Sequence, residues 1–348
     1  VQLDSLRGDA KERRLRGEVG FQDSLSQPID RLVGMLKKEH DVISDEEVAM
    51  EWKARTDRLS ETRDALRLIA GQLDNDLVYW VERSGRRGRS VLRAAPDDVG
   101  PLLRRSLFGR TRCVVMTSAT MRVAGSFAHF NRRVGLDEPM ELAAGSPFDF
   151  QRQCRLLLHP RLPEPRQGAA FDDAVAERVR DLVLESGGGA FVLFTSHRAL
   201  SAVHDAVRGD LDAAGLKVLR QGDSRPREIL EQFRSSEDCV LFGTDTFWQG
   251  VDVRGRNLRL VILTRLPFAV PDHPLQEARL ERIEDLGGDP FRELSLPQAV
   301  LKLRQGFGRL IRTQEDRGTV AILDPRTHTK SYGRIFLDSL PRCAVEER

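Results

Sequence analysis

"GGGAFVLFTSHRAL", residues 187–200, carries the pattern that decides the fold. Three glycines lead into the apolar run 190–194, the hydroxyls of Thr195 and Ser196 follow, and apolar residues then recur at helical spacing through 199–211. A short apolar run bounded by turn residues reads as a buried strand, and a helix directly behind it reads as the start of a crossover. The unit recurs. "KVLRQG" (217–222), "CVLFGT" (239–244), "LRLVILT" (258–264) and "TVAILD" (319–324) are further strand candidates, with "CVVMTS" (113–118) ahead of them. Amphipathic segments at 175–184, 274–286 and 297–311 lie between these runs. Such alternation predicts an α/β fold, a parallel sheet with helices on both faces. "GSPFDF" at 145–150 reads as a connection where a domain boundary can fall.

Upstream the pattern differs. Residues 1 to about 75 read as helices without strands, with Trp52, Leu59, Leu66 and Leu73 repeating every seventh position as one apolar stripe. Ser44 is the expected N-cap, with Glu47 closing a capping box. "LVYWVE" (77–82) and "RSVLR" (89–93) read as two strands around the basic turn "RSGRRGR" (83–89). Residues 83–112 hold nine arginines against Asp97 and Asp98, a stretch that reads equally as a phosphate contact or as a solvated hairpin.

The 348 residues are enough for two or three domains, and 40% hydrophobic with 31% charged residues describes a chain with ordinary cores and a polar surface. A net charge of +2 announces no nucleic-acid partner by itself, and with only seven lysines among 55 basic residues arginine identity is discounted in favour of position. Cys113, Cys154, Cys239 and Cys343 are far apart and form no CxxC pair, so neither zinc nor a disulfide framework is expected, and the thiols read as reduced in a cytoplasmic protein. No apolar stretch is long enough for a membrane span and no signal peptide is recognisable. Val1 falls inside a polar helical pattern, as in a piece of a longer protein.

In open α/β sheets ligands gather at the carboxyl ends of the strands, so the polar residues there are the candidates. They are Thr117-Ser118-Ala119-Thr120, Thr195-Ser196-His197, and Gly243-Thr244-Asp245 running into "TFWQGVD". "QGFGRLIR" (305–312) places Gln305, Arg309 and Arg312 at i, i+4 and i+7, one face of a helix if the segment is helical throughout. Two glycines inside such a helix cost about 2 kcal/mol against alanine, a cost that a docking surface for a flat anion such as a nucleotide triphosphate would explain.

Taken in order, these segments resemble motifs III (117–120), IV (194–196), V (243–252) and VI (305–312) of superfamily-2 helicases, most closely the XPD-like group and within it the bacterial DinG-type helicases. "GSPFDF", "LPFAVPDHPLQEARLE", "GGDPF" and "YGRIFLDSLP" are similar to DinG text at the same places. The resemblance covers roughly residues 77–345. It implies a RecA-like sheet preceded by a helical arch-like segment, divided as 1–76 (arch remnant), 77–140 (end of a first motor domain) and 141–348 (second motor domain).

It also implies roles. Arg312 would be the arginine finger, with Arg309 its partner and Gln305 nearby; Gly250 and Asp252 would lie beside the nucleotide, and Ser118 and Thr120 would couple cleft closure to strand movement. Ser196, Gly243 and Thr244 would contact single-stranded DNA; Phe247 and Trp248 are of a type that stacks on bases, but packing inside the domain is the reading favoured for both. Gln249 departs from the glutamate common in the group. His197 and His204 read as helix-surface residues, and no metal ligand is assigned. No lysine follows a glycine and no acidic pair follows a buried strand, so Walker A and Walker B are missing from the sequence. ATP and Mg2+ would then be held mainly by an absent N-terminal P-loop half, to which the iron–sulfur cysteines of many relatives also belong. The competing reading is a stand-alone nucleic-acid-binding or regulatory module that keeps the fold without ATP turnover.

Overall fold

Successive residues of a strand face opposite sides of a sheet, and here both sides are apolar. Phe191, Leu193, Val261, Leu263, Val320 and Ile322 enter one core, while Ala190, Val192, Leu260, Ile262 and Ala321 enter another. A sheet buried on both faces is the parallel kind that crossover helices cover. The computed structural model describes residues 11–17, 23–40, 42–84, 88–248, 253 and 255–348, with 245 and 246 by their backbone only. The chain forms two compact units, 108–269 with 291–348, and 1–107 with 270–290.

The first of these contains the predicted sheet. Its strands are β4 (Cys154–Leu158), β5 (Ala190–Leu193), β6 (Lys217–Arg220), β7 (Cys239–Gly243), β8 (Leu260–Leu263), β9 (Gly318–Ile322) and β10 (Ala344–Glu347). They lie in the order β10-β4-β9-β8-β5-β7-β6, and every neighbouring pair is parallel. Helices Ala169–Ser186 and His197–Ala213 cover one face; Pro226–Arg234 and Leu296–Phe307 cover the other.

Five strand expectations hold here, and one fails. Residues 113–118 form no strand; Val115 is 80% exposed, since no described strand lies alongside to pair with this run. Two strands were not foreseen. "CRLLL" of β4 carries an exposed arginine at its second position, and "AVEE" of β10 is a polar edge, so neither reads as a buried run.

The other unit holds a three-stranded antiparallel sheet, β1 (Glu12–Leu15), β2 (Leu77–Ser84) and β3 (Arg89–Pro96), in that order. The hairpin was foreseen; β1 contradicts the expectation of helices alone. Its "ERRL" buries only Leu15, and Arg14 and Arg16 pair with Glu277 and Glu281 on the distant helix Pro274–Asp285, a stabilisation no local pattern reveals.

Helices α1 (Ser26–His40) and α2 (Glu46–Gly71) pack together, with Trp52 Nε1 donating to the Leu36 carbonyl at 3.1 Å and Arg63 paired to Asp30 at 2.9 Å. The N-cap is Asp45, not Ser44: its carboxylate accepts from the Glu47 and Val48 N–H groups at 3.0 and 3.2 Å. α2 ends at Gly71 with Gln72 left-handed, so Leu73 leaves the stripe and is 71% exposed. No described helix is long and apolar enough to cross a membrane.

Candidate functional site

A crossover helix runs back against the strands it joins, so the segment after Leu296–Phe307 returns to the edge of the sheet where β9 begins. The "QGFGRLIR" stretch is therefore not one helical face. The helix stops at Phe307, Gly308 caps it, and Arg309 and Arg312 lie in the loop that leads to β9. Gly306 has a packing reason: a Cβ there would sit 2.9 Å from both Leu263 Cδ2 and Trp248 Cζ3. Arg309 is 7% exposed, and its Nε and Nη2 donate to the Trp248 carbonyl at 3.0 and 2.5 Å. Gln305 is half-buried in the last turn of the helix and Arg312 is exposed.

The loop is held from beneath by a residue the sequence did not single out. Asp316, buried, accepts from the backbone N–H groups of Arg312 (2.8 Å) and Thr313 (2.7 Å) with Oδ2, and from Gly255 (3.0 Å) with Oδ1. Burial pushes its carboxyl up, but these N–H donors outweigh burial and hold it below the usual range. Gln153, just before β4, donates to the carbonyls of Thr313 (2.9 Å), Gln314 (3.1 Å) and Asp316 (3.1 Å). Three separated segments thus meet at the amino-terminal edge of the sheet.

Ser118 and Thr120 join this group through a second overlooked residue, Arg304. Its guanidinium donates to the Arg122 carbonyl at 2.5 Å and the Ala119 carbonyl at 3.2 Å, tying the hydroxyl loop to the end of the helix that carries Gln305. Burial, then the neighbouring charge of Arg122, pushes its pKa down. Thr120 N–H donates to Ser118 Oγ at 3.2 Å.

Ser196, Gly243 and Thr244 lie at the other edge, at and just past the carboxyl ends of β5 and β7. Ser196 is an exposed N-cap whose Oγ accepts from Ala199 N–H at 3.2 Å. Gly243 is buried, and a Cβ there would meet the Phe247 ring at 2.8 Å. Thr244 donates its N–H to Gln221 Oε1 at 2.6 Å and lies 3.5 Å from His197 Nε2. Phe247 and Trp248 are fully buried, as expected.

His204 is buried rather than on the helix surface. Its ring stands edge-on to Phe242, 5.4 Å away, and Nδ1 is 2.8 Å from Asp205, a placement set by the apolar side of its helix. Gly250, Asp252 and Gln249 lie outside the described residues, as do Arg86 and Arg87 of the basic turn. Gly243 lies at one edge, Trp248 in the core, and Gly255 at the other edge, where its N–H meets Asp316. Among the described residues no group of three or more His, Cys, Asp or Glu is arranged to hold a metal ion.

Residues 179–343 match the helicase C-terminal domain family. The chain is similar to the 3'-5' exonuclease DinG of Bacillus subtilis, 38% identical over 283 residues, which covers 79% of this chain and 30% of that protein. It is likewise similar to the ATP-dependent DNA helicase YoaA of Escherichia coli, at 38% identity over 76% of this chain and 40% of the relative. The ATP-dependent helicase DinG of Mycobacterium tuberculosis gives 39% over 77% and 40%. The chain thus spans 30–40% of the length of these relatives. Among solved structures, S. tokodaii Xpd4 aligns over 99% of this chain and 63% of its own with a TM-score of 0.61 and 14% identity, which supports the fold alone.

Proposed function

We propose, taking as premise that this chain is a helicase C-terminal part of the DinG-type, XPD-like kind, that it is the half of an ATP-dependent DNA motor that presents the arginine finger. ATP is the substrate, cradled with its Mg2+ by the N-terminal P-loop half of the motor. Arg312, exposed at the amino-terminal edge, reaches the γ-phosphate and stabilises the charge that develops there. Gln305 sits beside it, Gly250 and Asp252 line the nucleotide, and Ser118 and Thr120 report cleft closure. Single-stranded DNA runs along the opposite edge, against Ser196 and the Gly243–Thr244 turn.

The observation that carries this reading is the pair of hydrogen bonds from Arg309 to the Trp248 carbonyl. Arg309 acts as the finger's partner from inside: it fastens the loop bearing Arg312 to the middle of the 243–255 segment, whose start is at the DNA edge. A shift of the finger toward phosphate then pulls on the DNA side. In the full-length protein Arg312→Ala should lower DNA-stimulated turnover by about 10³-fold or more while changing ATP affinity little. Arg312→Lys should not rescue it, because lysine lacks the planar fork. Turnover at the parental rate in Arg312→Ala would reject the finger. The isolated chain should hydrolyse no ATP.

A further inference from the structure

Cys154 and Cys343 are 189 positions apart in sequence and adjacent in space. β10 pairs with β4 in parallel, Ala344 against Arg155, so the residue before each pair sets Cys343 beside Cys154. In-register residues on neighbouring strands are about 4.8 Å apart and point to the same face, within the Cα separation of about 4.4–6.8 Å that disulfides span. Both side chains are buried in the same apolar cluster. The paired thiols bias each other's ionisation: Cys154 is pushed up by its neighbour and by burial, and Cys343 is brought down by its neighbour against burial.

The other two cysteines supply contrasts. Cys239 is buried too, but its Sγ faces the Gln232 carbonyl at 3.7 Å, and Cys113 is exposed. β10 is an edge strand, bonded to β4 only, and three of its four residues are exposed. Local opening of such an edge admits small molecules without unfolding the sheet.

We propose that Cys154 and Cys343 form a dithiol modification site that a peroxide closes to a reversible disulfide, fastening the last strand to the sheet. The Cys343 thiolate attacks one peroxide oxygen; the O–O bond breaks, the leaving hydroxide takes a proton to become water, and Cys343 becomes a sulfenic acid. Cys154 sulfur then attacks Cys343 sulfur, forming S–S and breaking S–O, and its proton leaves with the hydroxide as a second water. Two thiols and one peroxide give one disulfide and two waters. A dithiol reductant restores the pair by exchange.

The test uses the purified chain, hydrogen peroxide as probe, and alkylation before unfolding and digestion. A linked peptide pair containing Cys154 and Cys343 should accumulate, Cys239 should stay a free thiol, and dithiothreitol should erase the link. Amide exchange at 345–347 should slow by about tenfold on oxidation. In Cys154→Ser, dimedone should trap Cys343 as the sulfenic acid. Both thiols still alkylatable after a dose that consumes Cys113 would overturn the proposal, as would equal oxidation of Cys239. The wild-type measurement decides even if a serine variant folds poorly.

Discussion

Gly306 has Leu263 and Trp248 where a methyl group would go, so Gly306→Ala should lower stability by about 1–3 kcal/mol through overpacking. A lower urea midpoint at unchanged slope would show it. His159, at the carboxyl end of β4, is buried with no partner for Nε2. Burial, then the charges of Arg178 and Arg348, pushes its pKa from 6.5 to about 4. A folded value below the unfolded one means that stability is complete above the unfolded value and falls as pH drops from about 6.5 towards 4, by up to about 3 kcal/mol. His159→Gln should flatten that limb in unfolding measurements across pH.

Asp316 is also lowered, so its share is intact above the unfolded carboxylate value of about 3.9 and is lost only as pH falls through the lower folded value. Chemical type was readable at this scale: arginines, hydroxyls and glycines after apolar runs. What each touches was not. Arg309 and Thr244 find their partners in segments distant in sequence.

The end of helix Leu296–Phe307 is where sequence periodicity misled, because i, i+4, i+7 spacing continues past the residue at which hydrogen bonding stops. Strands buried on both faces were legible for the opposite reason: their apolar runs are unbroken and too short for helices. An edge strand such as β10 lacks that signature, and the run at 113–118 has it without a neighbour in the described sheets. Which sheet edge each motif occupies depends on the direction of the crossovers, which no single segment encodes. Arg304→Ala should free the 117–122 loop from its helix, seen as faster amide exchange at 119–124 with the strands of the large sheet unchanged. In the full-length protein the same variant should uncouple turnover from DNA, lowering stimulation more than basal hydrolysis.

At the scale of the whole molecule, the smaller unit is discontinuous in sequence. Its sheet and the helices Ser26–His40 and Glu46–Gly71 come from 1–107, yet the helix Pro274–Asp285 belongs to it too: Trp80 meets the His273 ring at 5.5 Å, Arg279 donates to the Asp97 carbonyl at 2.9 Å, and Ala278 packs with Val78 and Trp80. A polypeptide of residues 1–107 should therefore exchange its 77–96 amides rapidly, and joining 270–290 to it by a flexible linker should restore protection. Full protection without that segment would show that the helix is dispensable. The arrangement also has a consequence for biosynthesis. Pro96 leaves the ribosome about 180 residues before the helix that covers its hairpin, a delay of about 10–40 s at ordinary elongation speeds. During that interval the newborn hairpin shows Trp80 and Val78 to solvent, an apolar surface that closes only when Ala278 arrives.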